Sequence, residues 1–180
     1  MVALQLMTRP YHSIFCAETA HIYVDECGSP VKMTGCQICP IATPDGKLTP
    51  ELMQPYLHGF GDQHHSQPRA LYISQCTELG TIYTPEELKR LTDFAHLNGM
   101  YVHMDGARIA NACAALNLSL KELTVDCGVD ILSFGGTKNG LMMGECVIVF
   151  NKDLQPEARF IRKQSAQLAS KMRYLSCQFT

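Results

Sequence analysis

No apolar run in this 180-residue sequence approaches the roughly 20 residues that a membrane-spanning helix requires. A membrane helix is therefore not expected. Charge of one sign is missing too. Seventeen acidic residues face fifteen basic ones, and a formal net charge of -2 gives no strong field to recruit nucleic acid or an anionic membrane. The opening residues lack a basic segment ahead of their short apolar stretch, and Arg9 stands on the wrong side of it for a secretory signal. The expected compartment is the cytoplasm. Internal repeats and low-complexity tracts are also lacking. The nine cysteines do not read as a disulfide framework: their number is odd, their spacing is irregular, and Cys113, Cys127 and Cys146 fall inside apolar segments. Reduced thiols are expected.

What is present suits one compact domain, with 46% hydrophobic and 18% charged residues, and leaves small-molecule chemistry or protein contact as the open functions. Short β-branched or aromatic runs alternate with longer amphipathic stretches, the pattern of βαβ units on a parallel sheet. Strands are expected at residues 12–16, 70–74, 101–104, 130–134 and 146–150. The strongest helix spans 85–97, where Thr84 and Glu87 form a capping box, Pro85 takes the first helical position and Asn98-Gly99 supplies the stop. Residues 40–68, with Pro44-Asp45-Gly46, Gly59, Gly61 and His64-His65, read as turns around one short helix. Residues 2–7 resemble the last turns of a helix without an N-cap, and residues 156–175 read as a helix with nothing after it to cover its apolar face. The chain reads as a piece of a longer protein.

Two segments carry chemistry. In Tyr101-Val102-His103-Met104-Asp105-Gly106-Ala107-Arg108 an acid closes a strand ahead of a glycine turn and a helix. In Ile131-Leu132-Ser133-Phe134-Gly135-Gly136-Thr137-Lys138-Asn139-Gly140 a strand empties into a glycine-rich loop with one lysine. Thirty-three positions separate Asp105 from Lys138, about one βαβ unit, so a right-handed crossover would bring both to the carboxyl edge of the sheet, where ligands gather. A lone lysine in such a loop is usually a solvated charge, and a strand-ending aspartate is often only a helix cap. Together they suit pyridoxal phosphate (PLP). The amine forms a Schiff base with the aldehyde, and the carboxylate keeps the pyridine nitrogen protonated so that the ring takes up electrons.

The stretches YHSIFCAETAHIYVDECGSP, TELGTIY, HMDGARIANA, ILSFGGTKNG and KQSAQLASKMRYL resemble, in order, successive blocks of the threonine aldolase family, PLP enzymes of fold type I. The likeness covers nearly the whole chain. It implies an α/β three-layer sandwich with a mostly parallel sheet, the central part of the large domain of PLP-dependent transferase-like proteins. It also implies Lys138 as the cofactor lysine, Asp105 at the pyridine nitrogen, His21 stacked on the ring, Arg108 near the substrate carboxylate and cofactor, and Thr137 bonding the phosphate. Without those flanks, His21 would read as no more than the start of a strand or helix. The implied reaction cleaves L-threonine or L-allo-threonine to glycine and acetaldehyde, in a homodimer or homotetramer. Glu78 stands where many members carry a histidine that helps deprotonate the substrate hydroxyl, and a glutamate there either takes that role or is a polar loop residue. The family's Gly-Thr phosphate loop would precede Met1, and its C-terminal domain would follow Thr180. Residues 1–180 would then be a partial large domain with weak hold on PLP.

No metal is expected: Cys36-Gln37-Ile38-Cys39 is a CxxC without a second pair at zinc-ligand spacing, and His58, His64 and His65 read as solvated loop residues. Two rival readings stay open. One is β-elimination or racemisation on the same scaffold, since cofactor residues do not choose the bond that breaks. The other is a non-catalytic remnant.

Overall fold

The computed structural model describes residues 1–179. Helix α1 (Val2–Met7) leads into strand β1 (His12–Ala17), and two short helices, α2 (His21–Val24) and α3 (Ser29–Thr34), precede β2 (Gln37–Ile41). Next come α4 (Pro50–Met53), β3 (Gln67–Ser74), α5 (Pro85–Leu97), β4 (Tyr101–Gly106), α6 (Ile109–Leu116), β5 (Ile131–Phe134) and β6 (Cys146–Val149). Helices α7 (Gln155–Gln164) and α8 (Arg173–Ser176) follow. The sheet runs β2-β1-β3-β4-β5-β6, parallel through β5, with β6 antiparallel on the edge. The α/β class with a mostly parallel sheet is as the sequence implies. Because the chain proceeds from β1 outward to β2 and then back to β3, the order reverses between β1 and β3, where such sheets open a crevice at their carboxyl ends.

Leu71, Tyr72 and Ile73 of β3 are all buried, as are Val102, His103 and Met104 of β4, although successive side chains point to opposite faces. Both faces of the central sheet are therefore covered, which explains the near-continuous apolar runs. Helix α5 turns Leu88, Leu91, Thr92 and Ala95 inward at helical spacing, and each buried leucine contributes about 2 kcal/mol of hydrophobic stabilisation. Its expected capping box is present: Glu87 N donates to Thr84 Oγ1 at 3.2 Å, and Thr84 N donates to Glu87 Oε2 at 2.8 Å.

Three expectations are corrected. The stretch 40–68 overlaps two strands, β2 reaching Ile41 and β3 starting at Gln67; β2 is a half-exposed edge strand whose Pro40 breaks no interior ladder, so it lacks the alternation that betrays a strand. The strand expected from Asp130 starts one residue later, at Ile131, although Asp130 N still donates to the Val102 carbonyl at 3.0 Å; the Asp130 carboxylate meets Val102 N at 2.7 Å, His96 Nε2 at 2.9 Å and Asn151 Nδ2 at 2.7 Å. The single helix over 156–175 is broken. Helix α7 ends in a Schellman motif, with Ala166 N donating to the Lys163 carbonyl, Gln167 N to the Arg162 carbonyl, and Ala166 itself left-handed at φ 58°. Nor does α7 lack a surface: it packs on α1, where Ser165 Oγ donates to Gln5 Oε1 at 2.6 Å, although Phe160 stays exposed.

Cys36 Sγ donates to the Arg9 carbonyl at 3.1 Å, and His58 and His65 stack edge to face at 5.8 Å on the surface. Among the described residues, no three or more histidine, cysteine or carboxylate side chains are grouped to hold a metal ion, and no helix is long and apolar enough to cross a membrane.

Candidate active site

Strands β4 and β5 end level with one another, Asp105 beside Ser133 and Gly106 beside Phe134. Beyond that edge the chain tightens into a 3-10 turn, Gly136–Lys138, which leaves the Lys138 side chain exposed. The two loops touch. A Cβ on Gly135 would stand 2.7 Å from Ala107 Cα, so only glycine lets the lysine loop lie against the turn after Asp105. Asn139 fastens the contact, its Nδ2 lying 3.2 Å from the Gly106 carbonyl, 3.1 Å from that of Ala107 and 2.7 Å from that of Gly135.

Asp105 is half-buried and its two oxygens face different donors: Ala107 N gives to Oδ1 at 2.9 Å, and the Tyr72 hydroxyl gives to Oδ2 at 2.5 Å. Burial first, and then the Asp105 charge, push the Tyr72 hydroxyl well above the usual phenol range, so it remains a donor. The Tyr72 ring lies 5.2 Å from that of His103, which is fully buried. His103 Nε2 meets Ser133 Oγ at 2.8 Å while its Nδ1 is buried without a partner. Burial lowers its pKa to about 4 against the opposing pull of Asp105, so the ring is neutral at pH 7.

Pairing in register puts Tyr72 beside His103, Ser74 beside Asp105 and Asp105 beside Ser133, so these five share one face of the sheet. A polar band therefore crosses an otherwise apolar core. Buried polar groups cost free energy, and such bands concentrate at functional sites.

On the other side of Ser74 the band continues to the β1/β3 crevice. Glu78 Oε1 accepts from Ser74 Oγ at 2.7 Å and from His21 N at 2.8 Å. The structure thus brings His21 and Glu78 together through the main chain. The His21 imidazole is instead held by Glu26, Nε2 to Oε1 2.9 Å, with Asp25 at 3.6 Å from Nδ1. Arg108 caps α6 and is exposed. The Thr137 hydroxyl accepts from Gly144 N at 3.1 Å, while Thr137 N donates to the Gly144 carbonyl at 3.2 Å, which closes the lysine loop on itself. Tyr72, His103, Ser133 and Asn139 are absent from the sequence-based set of site residues; the sheet register around Asp105 reveals the first three.

The family model for beta-eliminating lyases matches residues 1–176. The chain belongs to the beta-eliminating lyase family. Among curated members it is similar to the low specificity L-threonine aldolase of Pseudomonas aeruginosa, 44% identical over 176 residues, which cover 97% of this chain and 51% of that protein. A Pseudomonas sp. counterpart is 43% identical over the same shares. The chain spans about half the length of these relatives. Among solved structures, the Leishmania major threonine aldolase superposes with a TM-score of 0.83 at 33% identity, over 92% of this chain and 48% of that one. Cystalysin from Treponema denticola, a structure containing PLP, shares the fold at 14% identity, with a TM-score of 0.69 over 98% and 45% of the two chains.

Proposed function

We propose that this member of the beta-eliminating lyase family carries the cofactor-binding core of a PLP-dependent threonine aldolase, cleaving L-threonine or L-allo-threonine to glycine and acetaldehyde. The observation that carries the reading is Asp105, a carboxylate whose oxygens accept from Tyr72 and Ala107, one strand away from a loop that presents the exposed Lys138. These residues fit PLP: an amine free to meet an aldehyde, and an acceptor oriented from behind by a phenol that stays protonated. The likeness to L-threonine aldolases at 44% and 43% identity supports the choice of substrate.

PLP, when bound, supplies an aldehyde that captures an amine and a conjugated ring that takes up the electron pair released at Cα. Lys138 would hold the cofactor through its side-chain amine, the exposed group at the end of the loop. Asp105 would keep a proton on the pyridine nitrogen. The Thr137 hydroxyl, whose oxygen accepts from Gly144 N, would be left to donate its proton to the phosphate. Arg108 pairs with the substrate carboxylate through parallel donors. The His21 imidazole, which here contacts Glu26 Oε1 at 2.9 Å, would be the group to stack on the cofactor ring. Glu78 takes the β-hydroxyl proton on Oε2, its Oε1 being occupied by Ser74 and His21. Loss of that proton breaks the Cα–Cβ bond and releases acetaldehyde, and a proton delivered to Cα completes glycine. The reading carries with it a self-associated cytoplasmic enzyme.

Products decide the reaction type. One relative is an alanine racemase of Cochliobolus carbonum, 30% identical over 159 residues, so the assay has three arms: acetaldehyde with glycine, pyruvate with ammonia, and D-alanine from L-alanine. The chain is measured with PLP beside the Pseudomonas aeruginosa relative. Turnover by the chain is expected to fall far below that of the relative, of which it spans about half, with acetaldehyde and glycine dominant among whatever products form; pyruvate or D-alanine as the dominant product overturns the reading.

A further inference from the structure

We infer that Asn139 is a positioning residue that sets where the Lys138 amine stands relative to the Asp105 carboxylate. This rests on the PLP reading above. Asn139 follows Lys138 directly, yet its side chain belongs to the other loop as much as to its own. Its amide nitrogen reaches the carbonyls of Gly106, Ala107 and Gly135 at 3.2, 3.1 and 2.7 Å, and its Oδ1 accepts from Ala110 N, in the first turn of α6, at 3.0 Å. Ala107 is gripped from both sides, its N–H on Asp105 Oδ1 and its carbonyl on Asn139. Two hydrogen bonds joined through the backbone of Ala107 therefore link the residue beside the lysine to the carboxylate.

The chemistry of the side chain is specific. The two N–H donors of the amide are shared among three converging carbonyls, and its one oxygen accepts from the Ala110 N–H. Aspartate keeps the acceptor toward Ala110 and loses the donors; alanine loses both. A covalently held cofactor that also meets Asp105 must satisfy both anchors at once. Slack between the loops misplaces one of them.

A purely structural role, such as capping α6, predicts lower thermal stability without any change specific to the cofactor. The test separates these on the chain itself. Wild type, Asn139→Ala and Asn139→Asp are mixed with PLP, and borohydride reduces the imine formed on loss of water to a stable secondary amine. The rate of pyridoxyl labelling at Lys138 is read by peptide mapping. In parallel, trace acetic anhydride labels the lysines without requiring Asp105, with Lys152 as reference.

Both variants are expected to unfold cooperatively near the wild-type temperature and to acetylate Lys138 within about twofold of wild type. Their pyridoxyl labelling should slow by about tenfold to a hundredfold, the range that misplacement of about 1 Å produces. Pyridoxyl labelling within about twofold of wild type in both variants overturns the inference alone, and so does a loss of acetylation in proportion to pyridoxylation. Outright unfolding of both variants makes Asn139 structural and also overturns it. Failure of the wild type to label at Lys138 overturns the PLP reading and this inference with it.

Discussion

The Tyr72 hydroxyl on β3 donates to Asp105 Oδ2 on β4 across 2.5 Å, and burial keeps that hydroxyl protonated. The phenol thus holds the carboxylate from within the core, leaving it to face the carboxyl edge of the sheet. Tyr72→Phe removes this donor with almost no change of volume. Its expected cost is about 1 kcal/mol, seen as a roughly fivefold weaker affinity in a PLP titration, with a cooperative unfolding transition retained. Unchanged affinity contradicts the role given to Tyr72.

Asp105→Asn keeps the size and the acceptor toward Tyr72 but removes the charge. A neutral amide cannot keep a pyridine nitrogen protonated. Pyridoxyl labelling should still fall on Lys138, though more slowly, while turnover falls on the order of a hundredfold, about 2.7 kcal/mol of transition-state stabilisation. Turnover within a factor of about two of the parent contradicts the electron-sink role.

His103 gives a pH signature. Its folded pKa of about 4 lies below the ordinary 6.5, so between those values the unfolded chain binds a proton that the fold refuses. Its contribution is fully present above about 6.5 and is lost as pH falls toward about 4. His96 acts in the opposite sense, since the hydrogen bond to Asp130 raises its pKa and its contribution fades with rising pH. The comparison is therefore His103→Gln against the parent in denaturant titrations: the variant should lose less stability on going from pH 7 to pH 5. Parallel pH curves contradict the buried neutral imidazole.

Ala166 ends α7 with φ 58°, a conformation that costs a non-glycine residue roughly 1 kcal/mol. Glycine there relieves the strain but gains freedom in the unfolded chain. Ala166→Gly should raise stability by about 0.5 kcal/mol in urea unfolding; a loss of that size contradicts the Schellman geometry.

The legible and illegible parts divide by the range of the interaction that sets them. Asp105 and Lys138 stand out because each closes an apolar run beside glycine, and α5 because Thr84, Pro85 and Glu87 cap it within four residues. Tyr72 and His103 look like ordinary strand residues until the register of β3 on β4 puts them on the face of Asp105. Asn139 looks like loop punctuation until the two loops meet. Edge strand β2 carries no alternation, and the end of α7 has no glycine to announce it. The contact of His21 with Glu26 is local, but it follows from a turn at 25–28 that no single residue type dictates.

The central claim is that Lys138 is the residue that bonds PLP. Borohydride reduction of the chain with PLP, followed by peptide mapping, tests it without requiring turnover. The account predicts a pyridoxyl group on Lys138, lost in Lys138→Ala; a label on Lys121 or Lys163 in place of Lys138 would contradict it.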